Sequence, residues 1–188
     1  GVAGMTAALS FAEQGIECVL VEREKQLGGN LKHLFYTAEG SDPQALLALL
    51  KKQIESQPKI TTYLGAEIKR VSGFLGNYKT EILTSKGNIE EIEHGVVIMA
   101  TGGVEYQSAE YLYGKSKNVL TQSELEEKIT KDNGYANILN SVVMIQCVGS
   151  REDEHQYCSR ICCTQAVKNA LRIKKENPNV KIILTGCL

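Results

Sequence analysis

An α/β fold built on a largely parallel sheet is predicted by three features of the sequence. Short apolar runs suited to buried strands, at residues 16–21, 95–100, 141–146 and 180–184, alternate with stretches of helical periodicity. The chain opens on Gly1-Val2-Ala3-Gly4, a small-residue helix start, and the apolar run that follows it ends in the carboxylate Glu22. Glycine turn, helix, strand and acid, in that order, are the parts of a Rossmann-like unit that places a dinucleotide on a helix N-terminus.

The elements follow in order. Residues 2–14 read as a helix whose face carries Ala3, Ala7, Ala8 and Phe11, stopped by Gly15. IECVLV at 16–21 suits a buried parallel strand, and Gly28-Gly29-Asn30 reads as a loop. Ser41-Asp42-Pro43 caps a second helix running to about Ser56. Residues 60–93 alternate polar and apolar positions, with Gly76-Asn77 and Gly87-Asn88 as turn candidates, the pattern of a β-meander. GVVIMA at 95–100 is expected to be a buried strand ending in Thr101-Gly102-Gly103. A Tyr-rich polar stretch leads to a helix at 122–130, a strand at 141–146, a helix at 159–176 stopped by Asn177-Pro178, and a last strand at 180–184. The expected organisation is a nucleotide-binding domain over 1–103 with its meander, a connecting segment over 104–140, and the start of a second α/β domain over 141–188.

Composition excludes several function classes. A formal net charge of −1 argues against nucleic acid and anionic membrane as partners. Trp is absent, and only 6% of residues are aromatic, too few for a base-stacking platform. No apolar stretch approaches the roughly 20 residues a membrane helix needs, and the first residues do not form a signal peptide. Four of the six cysteines (Cys147, Cys158, Cys162 and Cys163) cluster, whereas Cys18 and Cys187 stand apart. Clustering of this kind in a chain without a signal peptide points to metal or redox chemistry in a reducing, cytoplasmic setting rather than to a disulfide scaffold.

GVAG would complete a G-x-G-x-x-G fingerprint if a glycine stood two residues before Gly1; the strand that should precede it is absent. Glu22 is spaced to accept a ribose hydroxyl, although a solvated strand-end carboxylate would look the same. Leu27-Gly28-Gly29 and the later Ala100-Thr101-Gly102-Gly103 add two further parts. GxxG, strand-Glu, GG and strand-ATG together resemble the FAD domain of the pyridine-nucleotide-disulfide oxidoreductase superfamily. That resemblance implies FAD. It puts Gly1, Val2, Ala3 and Gly4 against the pyrophosphate, and Glu22 with Arg23 beside the adenosine ribose. The backbone at Ile68 would reach adenine; Gly29, Asn30 and His33 would line the flavin side, with Ala100, Thr101 and Gly102 packed near the cofactor. A lone histidine such as His33 is more often a plain surface residue. Without the preceding strand, this stretch of chain alone is expected to bind FAD poorly.

The superfamily carries a second glycine fingerprint after the next strand. Here Cys147-Val148-Gly149-Ser150-Arg151 follows instead, then Tyr157-Cys158-Ser159-Arg160-Ile161-Cys162-Cys163. With a helix beginning at 159, Cys158 and Cys162 share a face at i, i+4, Cys163 lies one step round, and Cys147 enters from the strand end. Thiolates at a helix N-terminus are favoured by its dipole. The set suffices for a [4Fe–4S] cluster or Zn²⁺, with a vicinal disulfide at Cys162-Cys163 or plain buried thiols as alternatives. Cys18 reads as a small hydrophobe in a strand.

QCVGSR followed by YCSRICCTQAVKNA, with GGNLKH and YGKSKNVLTQSELE upstream, resembles the family of heterodisulfide reductase A subunits and their relatives along essentially the whole chain. The resemblance implies an added [4Fe–4S] site ligated by Cys147, Cys158, Cys162 and Cys163. It also implies electron transfer, in some members bifurcating, within a complex of iron–sulfur subunits of the heterodisulfide reductase B/C or hydrogenase and dehydrogenase kinds. Lys168, on the cysteine helix, is a candidate flavin neighbour whose ammonium would favour an anionic reduced flavin. Two rivals remain: an NAD(P)H-dependent disulfide reductase using Cys162 and Cys163, and a non-enzymatic assembly module with a zinc site.

Overall fold

A computed structural model describes residues 1–186, which divide into two compact units; Cys187 lies outside the described residues. The first unit comprises Gly1–Lys32 and Gln44–Gly103. Helix α1 (Val2–Glu13) is followed by strand β1 (Cys18–Glu22), helix α2 (Pro43–Ser56) and strand β2 (Ile60–Leu64). β1 and β2 pair in parallel, Cys18 opposite Ile60 and Glu22 opposite Leu64, as a crossover through α2 requires. Strands β3 (Glu67–Phe74), β4 (Asn77–Leu83) and β5 (Ile89–His94) form a separate antiparallel sheet in the order β3-β4-β5. Its turns fall at Gly76 and Gly87, both with the positive φ that favours glycine.

Several expectations are corrected here. The meander begins at Glu67, because residues 60–64 belong to the parallel pair. Residues 96–100 form no strand: among the described residues nothing pairs with that segment, so its apolar side chains, Met99 at 77% exposure foremost, stay on the surface. The buried face of α1 is Met5, Ala8, Leu9 and Ala12. The spacing is helical and Ala8 is buried as expected, but the phase turns Met5, Leu9 and Ala12 inward with it, leaving Ala3 exposed and Ala7 and Phe11 only partly covered. β1 is half-buried, since among the described residues it pairs with β2 alone. Gly29–His33 forms a 3-10 turn rather than an open loop.

The second unit comprises His33–Pro43 and Val104 onward. Helix α3 (Gln122–Lys131) starts at a capping box: the Glu124 N–H donates to the Thr121 hydroxyl, and the Thr121 N–H donates to the Glu124 carboxylate. Strand β6 (Ser141–Ile145), helix α4 (Cys162–Glu176) and strand β7 (Lys181–Thr185) make one βαβ unit with parallel strands. Leu125, Ile129 and Ala136 bury against Met144, Ala166, Ile173 and Val180. Residues 104–140, read from sequence as a connector, therefore supply part of this unit's core. α4 begins at Cys162, not at 159: Arg160 adopts φ 60, which breaks the helical path just before it.

Candidate functional site

In the first unit, most parts of the expected nucleotide site meet. Gly1 is the N-cap of α1, and no side chain caps the helix, so its first-turn N–H groups point outward without intrahelical partners. That is the donor set an anionic pyrophosphate uses. Gly29 abuts this turn: a Cβ on it would stand 2.9 Å from the Gly1 Cα. Gly4 packs where a Cβ would lie 3.4 Å from the Ala100 Cβ and 3.5 Å from Leu20. α1 therefore packs closely on β1 and on the Ala100 segment at Gly4, at distances a small side chain would still meet as ordinary van der Waals contact. The Asn30 amide donates to the Gly103 carbonyl at 2.9 Å, tying the Gly28-Gly29-Asn30 loop to the end of that segment. The Glu22 carboxylate lies 3.5 Å from the Gly1 nitrogen and accepts from the Glu24 N–H at 3.1 Å. The strand-end acid therefore stands beside the glycine turn.

The remaining expected residues are placed less centrally. Val2, Ala3, Thr101 and Gly102 are exposed beside this turn or at the segment's end. Ile68 is half-exposed on β3, at an irregularity in its pairing with β4. Arg23 is exposed, and its charge is a minor contributor, after the Lys69 ammonium, to holding the Glu67 carboxyl below its usual range. His33 belongs to the second unit, exposed, within the field of Glu127.

The cysteines lie in the second unit, at the C-terminal end of β6 and the start of α4. None of the five described cysteines is in a disulfide. Cys162 is the first helical residue and partly buried. Burial pushes its thiol up, but hydrogen bonds from the Ser159 hydroxyl, the Cys147 backbone and Cys163 outweigh that and bring it below the ordinary value. Cys158 precedes the helix; its sulfur accepts from the Arg160 N–H at 3.3 Å, so the expected i, i+4 pairing with Cys162 does not form. Among the described residues no three potential ligands are gathered closely enough to hold a metal ion. The donor set nonetheless suits a thiolate-ligated group, since N–H groups already converge on sulfur. Ligands brought together only as the metal binds are common, because binding and local folding are coupled.

The connecting loop is under backbone strain. Cys147, Arg151 and Arg160 all have φ near 60, a region non-glycine residues seldom enter, and such outliers gather at functional sites. Gly149 has φ 73, and a Cβ there would lie 2.4 Å from the Tyr106 ring. Gly149→Ala is expected to cost about 1–3 kcal/mol through positive φ and this clash, measured by urea unfolding. Tyr106→Ala in the same chain should recover only the steric part; full recovery would show that φ carries no cost.

Lys168 is 5% exposed and donates to the Glu126 carboxylate at 2.6 Å, with its ammonium 4.8 Å from the centre of the Tyr36 ring. The other Glu126 oxygen accepts from the Phe35 N–H at 2.7 Å. The Tyr36 hydroxyl donates to Asn169 at 2.8 Å, and burial, then the Glu126 charge, push its pKa far up. Sequence reasoning missed Glu126, although a carboxylate beside Leu125 and Ile129 on an amphipathic helix was the available signal.

A family model for an FAD binding domain matches residues 1–41. Two curated relatives come from heterodisulfide reductases. One, from Methanopyrus kandleri, is the first iron–sulfur A subunit of a CoB–CoM heterodisulfide reductase; it is 27% identical over 97% of this chain and 41% of its own length. The other, from Methanococcus maripaludis, is the A subunit of an H2/formate:CoB–CoM heterodisulfide,ferredoxin reductase; it is 29% identical over 98% of this chain and 42% of its own. The chain is similar to heterodisulfide reductase A subunits. It spans about two fifths of the length of these relatives. In structure it resembles L-proline dehydrogenase from P. horikoshii, with a TM-score of 0.57 and 16% identity, covering 99% of this chain and 34% of that one. That likeness supports the expected α/β fold. No described helix is long and apolar enough to cross a membrane.

Proposed function

We propose that this chain is the flavin and iron–sulfur part of a cytoplasmic, FAD-dependent oxidoreductase of the heterodisulfide reductase A-subunit type. One observation carries the reading: a glycine turn with Glu22 beside it shares a chain with four thiols placed after β6, where the superfamily has its second nucleotide loop. FAD, when bound, supplies two-electron chemistry that can divide into single steps, and a [4Fe–4S] cluster supplies one-electron transfer.

The chain's own residues would then bind and orient these groups. The first-turn N–H groups of Gly1, Val2, Ala3 and Gly4 would hold the pyrophosphate, and Glu22 with Arg23 the ribose. Ile68 would lie by adenine. Gly29, Asn30, His33, Ala100, Thr101 and Gly102 would frame the flavin side. Cys147, Cys158, Cys162 and Cys163 would ligate the cluster. Lys168 would act on the flavin potential from its pairing with Glu126, which balances its charge. With a cysteine loop after β6, electrons would pass to partner proteins carrying clusters, of heterodisulfide reductase B/C-like, hydrogenase-like or dehydrogenase-like kinds, and bifurcation is the finer activity this arrangement would serve.

The test is anaerobic purification of the full-length protein with flavin, iron, sulfide and zinc quantified. Flavin with iron and sulfide in cluster proportions is expected. Zinc without iron would sink the cluster assignment, and nicotinamide-driven flavin reduction with titratable thiols and no iron would favour a disulfide reductase.

A further inference from the structure

Gln146 is the residue between β6 and Cys147. It is 7% exposed, and both its side-chain nitrogen and its oxygen are buried with no hydrogen-bond partner in the protein. Buried amides are almost always satisfied, so one with both ends open, next to Cys147 at the start of the cysteine-bearing loop, calls for a partner.

The topology fixes where that amide sits. Met144 and Gln146 share one face of the β6 path by the two-residue period, and both are buried. Met144 belongs to the same buried group as Ala166 of α4. α4 crosses between the parallel strands β6 and β7, so it runs opposite to them. Two residues along a strand advance about 6.6 Å, the rise of about four helical residues. Four residues back from Ala166 is Cys162, whose sulfur already takes a hydrogen bond from the Cys147 backbone.

The geometry points to Gln146 as a positioning and tuning residue of the cluster site, its amide N–H donating to a sulfur of the [4Fe–4S] cluster or its thiolate ligands. This inference rests on the cluster assignment above. Donation to sulfur stabilises the more negative, reduced state, and so raises the potential.

The experiment compares full-length wild type with Gln146→Met, which keeps the length but has no donor, by redox titration of the cluster followed by electron paramagnetic resonance. At the wild-type midpoint the variant's ratio of reduced to oxidised cluster is expected to fall about fivefold. An unchanged ratio at full iron content overturns the role of Gln146. If Gln146→Met keeps its flavin but loses iron, Gln146→Asn, which restores an N–H donor, must regain iron; failure of that rescue also overturns it. A wild-type protein without iron and sulfide overturns the cluster assignment itself, a separate result.

Discussion

Replacing Glu126 with leucine is expected to destabilise the protein by about 3–5 kcal/mol, because it leaves a buried ammonium without its counter-charge. Glu126 is fully buried and Lys168 nearly so, and the carboxylate also satisfies the Phe35 N–H. Burying a charge alone is far more costly than burying a pair. A leucine side chain at this position would supply neither the charge nor the second acceptor. The double variant Glu126→Leu, Lys168→Met removes both charges together and is expected to recover most of the loss, since apolar replacements of a whole buried pair are often neutral. Denaturant unfolding of the two variants beside wild type measures this. A double variant as unstable as the single one would show that the loss comes from packing or from the Phe35 contact, not from the isolated ammonium.

Cys162→Ser is expected to abolish iron and sulfide binding in full-length protein purified without oxygen, while flavin content stays at the wild-type level. Serine keeps the size but offers a hydroxyl whose proton is far harder to remove than a thiol's, so it is a poor ligand for a cluster. Cys162 is the informative choice because hydrogen bonds from Ser159, Cys147 and Cys163 converge on its sulfur. The matched control is Cys18→Ser. Cys18 lies in β1 in the other unit, its thiol raised by burial, and it should keep full iron. Loss of iron from both variants, or from neither, would contradict the ligand assignment. Loss of flavin with iron in Cys162→Ser would point to a general folding defect.

The two halves of the candidate site differ in how much could be read from the chain. Gly1, Gly4, Glu22, Gly29 and Ala100 were legible because glycine turns and strand-end acids are local features with fixed spacing. The structure adds why Gly29 must be glycine: it has positive φ, and the Gly1 backbone stands 2.9 Å from where its Cβ would be. The cysteine half was legible as a donor set but not as an arrangement. Helical spacing put Cys158 and Cys162 on one face, yet the chain turns through positive φ at Arg160 and starts its helix only at Cys162. A loop's backbone path depends on contacts across the unit, such as Tyr106 over Gly149, which no local pattern encodes. Gln146 left a fainter trace, a polar residue at an inward-facing phase of a strand.

Periodicity, capping residues and glycine positions by themselves determined the α/β class, the helices and their order, and the glycine–acid spacing, since each depends on neighbours a few residues apart. The capping box of α3 is of this kind. Only the tertiary structure decided which stretches became strands and in which sheet, because a strand needs a partner's hydrogen bonds: residues 60–64 found one in β1, whereas the uniformly apolar 96–100 found none among the described residues. It also joined Glu126 to Lys168, far apart in sequence, since a buried charge is tolerated only where the fold brings its counter-charge to it.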